Sequence, residues 1–126
     1  MVKIKVAING FGRIGRTFLR TVLNDDHIEV VAINDLASNR IMSHLLKYDS
    51  IHGTLSHDVT YTEDSIVIND KSILFTHHKN LEDLNWTGVD VVIESTGKFK
   101  TLAQLQKHRD AGAKKVILSA PPVDDD

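Results

Sequence analysis

The chain has 126 residues, which one domain accounts for, and a folded chain of this size buries roughly two thirds of its unfolded surface. Hydrophobic residues make up 41% and charged residues 25%, with a formal net charge of -2 and no cysteine. This balance excludes a disordered chain and argues against nucleic acid or a membrane surface as partner. It also removes a disulfide framework, a thiolate nucleophile and a thiolate metal site from these residues. No apolar run approaches the roughly 20 residues of a spanning helix. Lys3 and Lys5 interrupt the only early apolar stretch, so no signal-peptide pattern is present and the cytoplasm is the expected compartment.

Ile4, Val6 and Ile8 are β-branched residues in a run short enough for a buried strand. Gly10, Gly12 and Gly15 follow with the spacing G-x-G-x-x-G. Gly10 permits the tight turn out of the strand, Gly12 lets a pyrophosphate approach the backbone, and Gly15 lets a helix sit close to the strand. Free N–H groups and the positive dipole end at the helix start would then hold phosphates. Such glycines also occur as plain turn residues, so a second feature is required. Ile14, Phe18, Leu19, Val22 and Leu23 fall on one helical face, with Arg16 and Arg20 elsewhere, and Asn24-Asp25-Asp26 ends the helix. Ile28–Asn34 reads as the second strand. It ends at Asp35, about 20 residues past Gly15, the spacing at which a carboxylate meets the adenosine ribose. An aspartate here can also cap a turn; the glycine motif upstream favours the ribose role. Its charge repels a 2′-phosphate, which selects NAD over NADP.

Ser38 or Asn39 caps a helix through about Lys47, with Ile41, Met42, Leu45 and Leu46 as its apolar face. Tyr48 to Ser56 has turn character. His44, His52, His57 and the His77-His78 pair lack the spacing and carboxylate partners of a metal site, and read as solvated or core-edge residues. Val59–Thr76 changes to alternation, with Ile66-Val-Ile and Ile73-Leu-Phe around a polar turn at Asn69–Ser72, an antiparallel insertion. Leu81–Trp86 is a short helix or turn with Trp86 anchored in the core. Val89–Glu94 is a buried strand, and Ser95-Thr96-Gly97 presents backbone N–H groups at the carboxyl edge of the sheet. Thr101 caps a helix with Leu102 and Leu105 as apolar positions and Gly112 after its end; Lys115–Ser119 is the next strand, closed by Pro121-Pro122. The fold class is α/β: a Rossmann-type doubly wound parallel sheet with an antiparallel hairpin insertion.

Ile8–Arg16, Ala32-Ile33-Asn34-Asp35, Lys47-Tyr48-Asp49-Ser50 with His52-Gly53, Glu94-Ser95-Thr96-Gly97 and Leu118-Ser119-Ala120-Pro121 occur in this order. Together they resemble the NAD-binding domain of phosphorylating glyceraldehyde-3-phosphate dehydrogenases, over essentially the whole chain. The resemblance implies NAD as cofactor, with Arg13 and Ile14 at the pyrophosphate and Asn9, Gly10 and Gly12 in the turn. It further implies Asp35 at the ribose, Lys79 and Phe99 at the adenine end, Thr96 and Gly97 beside the cofactor, and Ser119 toward the nicotinamide. In the family a cysteine attacks the aldehyde, a histidine acts as base, and phosphate releases 1,3-bisphosphoglycerate. The cysteine motif, the catalytic domain and the domain's last strand are not in residues 1–126, so the resemblance implies the cofactor half of the enzyme, inactive alone. A stand-alone nucleotide-binding module, or part of an erythrose-4-phosphate dehydrogenase, is the alternative. The family's homotetramer, an unpaired sheet edge and uncovered apolar surface make self-association the expectation.

Overall fold

In the computed structural model, residues 3–23, 25–48, 59–69, 71–99 and 101–119 are described. They form β1 (Ile4–Asn9), α1 (Arg13–Val22), β2 (Ile28–Asn34), α2 (Asn39–Tyr48), β3 (Val59–Tyr61), β4 (Ser65–Ile68), β5 (Lys71–Thr76), a 3₁₀ turn (Leu81–Asp83), β6 (Val91–Glu94), α3 (Leu102–Asp110) and β7 (Lys115–Leu118). The sheet order is β3-β4-β5-β2-β1-β6-β7. The five strands from β5 to β7 run parallel, and β3 and β4 are antiparallel. The insertion therefore widens the main sheet: β5 closes the hairpin and also pairs with β2. The polar turn is narrower than the sequence suggests, since Lys71 and Ser72 already belong to β5; Asn69 turns the chain with φ +48°.

The two faces of the sheet follow from strand alternation. Ile8, Ile33 and Phe75 point to the face covered by Leu19 and Val22 of α1 and by Met42 and Leu46 of α2. Ala7, Ala32 and Val92 point to the other, where Leu81, Leu84, Trp86 and Ala113 pack. Burial on both faces explains why the parallel strands read as near-continuous apolar runs.

Three apolar faces differ from the helical patterns in the sequence. Ile14 is 53% exposed; Leu19 and Val22 of α1 are buried as expected, with Phe18 and Leu23 packed against the same core, and Gly15 takes the inward place at the helix start. The cause is Gly15: a Cβ there would lie 2.7 Å from the Gly10 carbonyl oxygen and 3.0 Å from the Ile8 side chain. That close contact sets the helix rotation and carries Ile14 to the surface. In α2, the stripe facing inward is Asn39, Met42, Ser43 and Leu46, with Ile41 exposed. In α3, Leu102 is exposed and the buried residue is His108. Thr101 caps α3 as expected, in a capping box with Gln104. Gly112 follows that helix at φ +126° with its backbone against Trp86 and Thr87. The predicted turn at 49–56, His52, His57 and Pro121-Pro122 lie outside the described residues.

Candidate functional site: the cleft at the carboxyl ends of the strands

The strands β2, β1 and β6 end side by side, and the loops that follow them surround a cleft of about 420 Å³. Asn9, Gly10 and Gly12 form one wall and Asp35 and Leu36 another; the segment His78–Asn80 and the loop with Ser95, Thr96, Lys98 and Phe99 complete it. In doubly wound sheets the carboxyl ends of the strands are where ligands bind.

Each wall is held by specific bonds. Gly10 has φ +94°, and a Cβ there would lie 2.6 Å from the Thr96 nitrogen. Gly10 is thus required by its backbone conformation and also by the passage of the Ser95–Thr96 backbone against it. Ser95 N–H donates to the Asn9 carbonyl at 2.8 Å, and its hydroxyl donates to the Gly10 carbonyl at 2.5 Å. Gly12 differs: nothing lies within 4 Å of its Cβ direction, and it caps α1 without any side-chain hydrogen bond. An open approach to an uncapped helix N-terminus fits the pyrophosphate of a dinucleotide. Arg13 and Ile14 form the first turn of that helix and do not line the cleft.

Asp35 is oriented by the backbone. Its Oδ2 accepts from Phe11 N–H at 2.7 Å and its Oδ1 from Ala37 N–H at 2.9 Å. The aspartate therefore caps a turn and faces the cleft at once, so the two roles open in the sequence are compatible. Each oxygen retains a lone pair for a ligand hydroxyl. Beside it, His77 meets the Asp35 carbonyl through Nδ1 at 2.7 Å and Asn39 Oδ1 through Nε2 at 2.8 Å, joining the β2 turn to α2. Gly97 has φ +76° and follows Thr96, and it is not among the residues that line the cleft. Ser119 lies past β7, its N–H and hydroxyl both donating to the Glu94 carbonyl, and does not reach the cleft lining.

Sequence reasoning missed the floor beneath this cleft. Thr76, Asn34, Asn9 and Glu94 sit in register across β5, β2, β1 and β6. Thr76 Oγ1 donates to Asn34 Oδ1 at 2.6 Å, Asn34 Nδ2 to Asn9 Oδ1 at 2.9 Å, and Asn9 Nδ2 to Glu94 Oε1 at 2.7 Å. His108 Nε2 reaches the same Oε1 at 2.8 Å, and Trp86 Nε1 donates to His108 Nδ1 at 2.9 Å. On the other oxygen, Thr96 N–H and Thr96 Oγ1 donate to Glu94 Oε2 at 2.9 and 2.6 Å. Burial pushes the Glu94 carboxyl up, but the hydrogen bonds from His108, Thr96 and Asn9 outweigh it and hold the group below its ordinary value. The available signal was that four apolar runs each end in a polar residue. The Thr96 N–H, expected to be free at the sheet edge, is therefore already taken. Among the described residues no group of three or more histidine, cysteine or carboxylate side chains is placed to hold a metal ion.

Comparison with known proteins agrees with this geometry. Residues 4–102 match the profile described as glyceraldehyde 3-phosphate dehydrogenase, NAD binding domain. The chain is 49% identical over 125 residues to the glyceraldehyde-3-phosphate dehydrogenases of Priestia megaterium and of Geobacillus stearothermophilus, covering 98% of this chain and 37% of each relative. It is 49% identical over 126 residues to the Streptomyces coelicolor protein of that name, covering 98% of this chain and 38% of the relative. The chain thus spans a little over a third of the length of these relatives, and NAD is the cofactor of the part it spans. With its cleft, its glycine turn and this profile in agreement, the chain belongs to the glyceraldehyde-3-phosphate dehydrogenase family, as the NAD-binding domain.

Proposed function

We propose that the chain is the cofactor half of a glycolytic enzyme that oxidises glyceraldehyde 3-phosphate with NAD and releases the acyl group to phosphate as 1,3-bisphosphoglycerate. The observation that carries this reading is one cleft holding both an open Gly12 position and an Asp35 carboxylate fixed by two backbone N–H groups. In this reading the helix-start N–H groups of Arg13 and Ile14 receive the pyrophosphate and Asp35 accepts from the adenosine ribose. Lys79 and Phe99 flank the adenine, Thr96 and Gly97 run beside the cofactor, and Ser119 stands toward the nicotinamide. Bound NAD supplies the hydride acceptor, and the residues of this chain bind and orient it.

The reaction also needs a nucleophile that holds the aldehyde as a hemiacetal while hydride leaves. These 126 residues contain no cysteine, so the chain alone binds NAD without oxidising aldehyde. Cytoplasmic residence and self-association belong to the same proposal; the exposed Ile117 on β7, at the end of the sheet order, supports the second.

Calorimetric titration of NAD into the chain and into Asp35→Asn tests the reading. Saturable binding, weakened about tenfold (~1.4 kcal/mol) in the variant, is expected, with no NADH formed from glyceraldehyde 3-phosphate and phosphate. Absent binding, or equal binding by the variant, refutes the site; NADH formation by the chain refutes its inactivity.

A further inference from the structure

The hydrogen bonds of the buried row have a fixed direction, set at both ends by groups that can only donate. His78 N–H donates to Asn34 Oδ1 at 2.8 Å, which identifies that atom as the amide oxygen. Asn34 Nδ2 must then donate, and it does so to the His78 carbonyl at 2.9 Å and to Asn9 Oδ1. Asn9 Oδ1 is thereby an acceptor, and Asn9 Nδ2 donates onward to Glu94. From the other side, the Trp86 indole N–H can only donate, so His108 Nδ1 accepts and the ring proton sits on Nε2, aimed at Glu94. The Thr96 N–H completes the set. All donors converge on one fully buried carboxylate, which no lysine or arginine contacts among the bonds described.

We propose that Glu94 is the positioning residue of the NAD cleft: it touches no ligand, but by gripping Thr96 through both backbone and hydroxyl it sets the loop wall of the site before cofactor arrives. The proposal rests on the reading of this cleft as the NAD site. Thr96 lines the cleft, and its backbone nitrogen lies against Gly10 at a distance that admits no Cβ. A displacement of Thr96 therefore moves one wall of the cleft against the glycine turn that faces it. The Glu94 side chain itself is not part of the lining.

Glu94→Gln isolates this role, because one amide oxygen must replace two carboxylate oxygens. Asn9 and His108 cannot reverse, being held by Asn34 and by Trp86. The glutamine oxygen is required on their side, and its NH₂ turns to Thr96. The Thr96 hydroxyl can reverse and accept; the Thr96 N–H cannot, and it loses its partner. The damage is thus localised to the loop wall of the cleft. With the variant folded by circular dichroism and titrated well below its melting temperature, the NAD Kd is expected to rise about tenfold (~1.4 kcal/mol). Emission from Trp86, the single tryptophan, is expected to stay unchanged, because its end of the row keeps its partners. Trp86→Phe provides the contrast: it lowers the melting temperature but leaves the NAD Kd within about twofold. An unchanged Kd in folded Glu94→Gln, or an equal loss in Trp86→Phe, overturns the proposal, since stability alone would then account for the row. A second measurement needs no variant. The Thr96 amide of the unaltered chain is expected to exchange slowly with D₂O without NAD; rapid exchange that slows only on adding NAD overturns the preformed wall. Failure of the unaltered chain to bind NAD refutes the site reading instead, and leaves the exchange result to judge Glu94.

Discussion

Replacing Gly10 and Gly12 separately by alanine should divide stability from cofactor binding, although the glycines are two residues apart in one motif. At Gly10 the new Cβ would lie 2.6 Å from the Thr96 nitrogen and 2.8 Å from the Ser95 carbonyl carbon, at φ +94°. Both neighbours are backbone and cannot rotate away. Overpacking of this kind costs about 1–3 kcal/mol, and the unfavourable φ adds about 1–2 kcal/mol. The sum, about 2–5 kcal/mol, is a large part of the 5–15 kcal/mol that holds a typical domain folded. At Gly12 the Cβ meets nothing within 4 Å and φ is -79°, so only a weaker N-cap is lost, about 0.5 kcal/mol. Urea unfolding should then show Gly10→Ala displaced by on the order of 2 M in midpoint, and Gly12→Ala by a few tenths. NAD titration should give the converse for Gly12→Ala: a folded protein whose affinity falls at least tenfold, because the methyl group occupies the phosphate approach. Equal stability losses in the two variants would refute the contact argument, and unaltered NAD affinity in Gly12→Ala would refute the phosphate assignment.

Two further outcomes are expected. Glu94 is held below its usual value of 4.5 in the folded chain, so its stabilising contribution is complete above the unfolded value and is lost as pH falls through the folded one. The urea midpoint should therefore drop below about pH 4.5, and the part due to Glu94 should vanish in Glu94→Gln; a midpoint difference independent of pH between pH 7 and 3 would contradict this. Thr101→Ala removes the hydroxyl that accepts from Gln104 N–H, leaving only the backbone half of the capping box on α3, and should cost about 1 kcal/mol, seen as a fall of a few degrees in melting temperature with NAD affinity intact.

The parts of the fold legible in the sequence were those governed by local rules. The strand ends at Asn9 and Asn34, the Thr101 cap and the Gly112 terminus are each written in neighbouring residues, and all appear where expected. The glycine motif likewise announced the turn that lines the cleft. Helix rotation was less accessible, because α1 turns on a contact between Gly15 and the Gly10 carbonyl that hydrophobic periodicity does not weigh. The largest omission was the polar row. Asn9, Asn34, Thr76 and Glu94 are far apart in the chain and become one structure only through the register of four strands. His108, alone on a mostly polar helix, carried no local sign that it would be the residue α3 buries.

That row also bears on how the strands find their places. Apolar runs such as Val-Val-Ile and Val-Ala-Ile are nearly interchangeable as pairing partners, and sliding one by two residues keeps the same side chains on the same face. The hydrophobic effect alone distinguishes such alignments weakly. A slip of β6 by two residues, however, would carry Glu94 away from Asn9 and leave a buried charge with part of its donors, at a cost of several kcal/mol. The same side chains that brace the floor of the cleft thus act as an alignment mark during folding, admitting the one strand register in which the carboxylate is fully served.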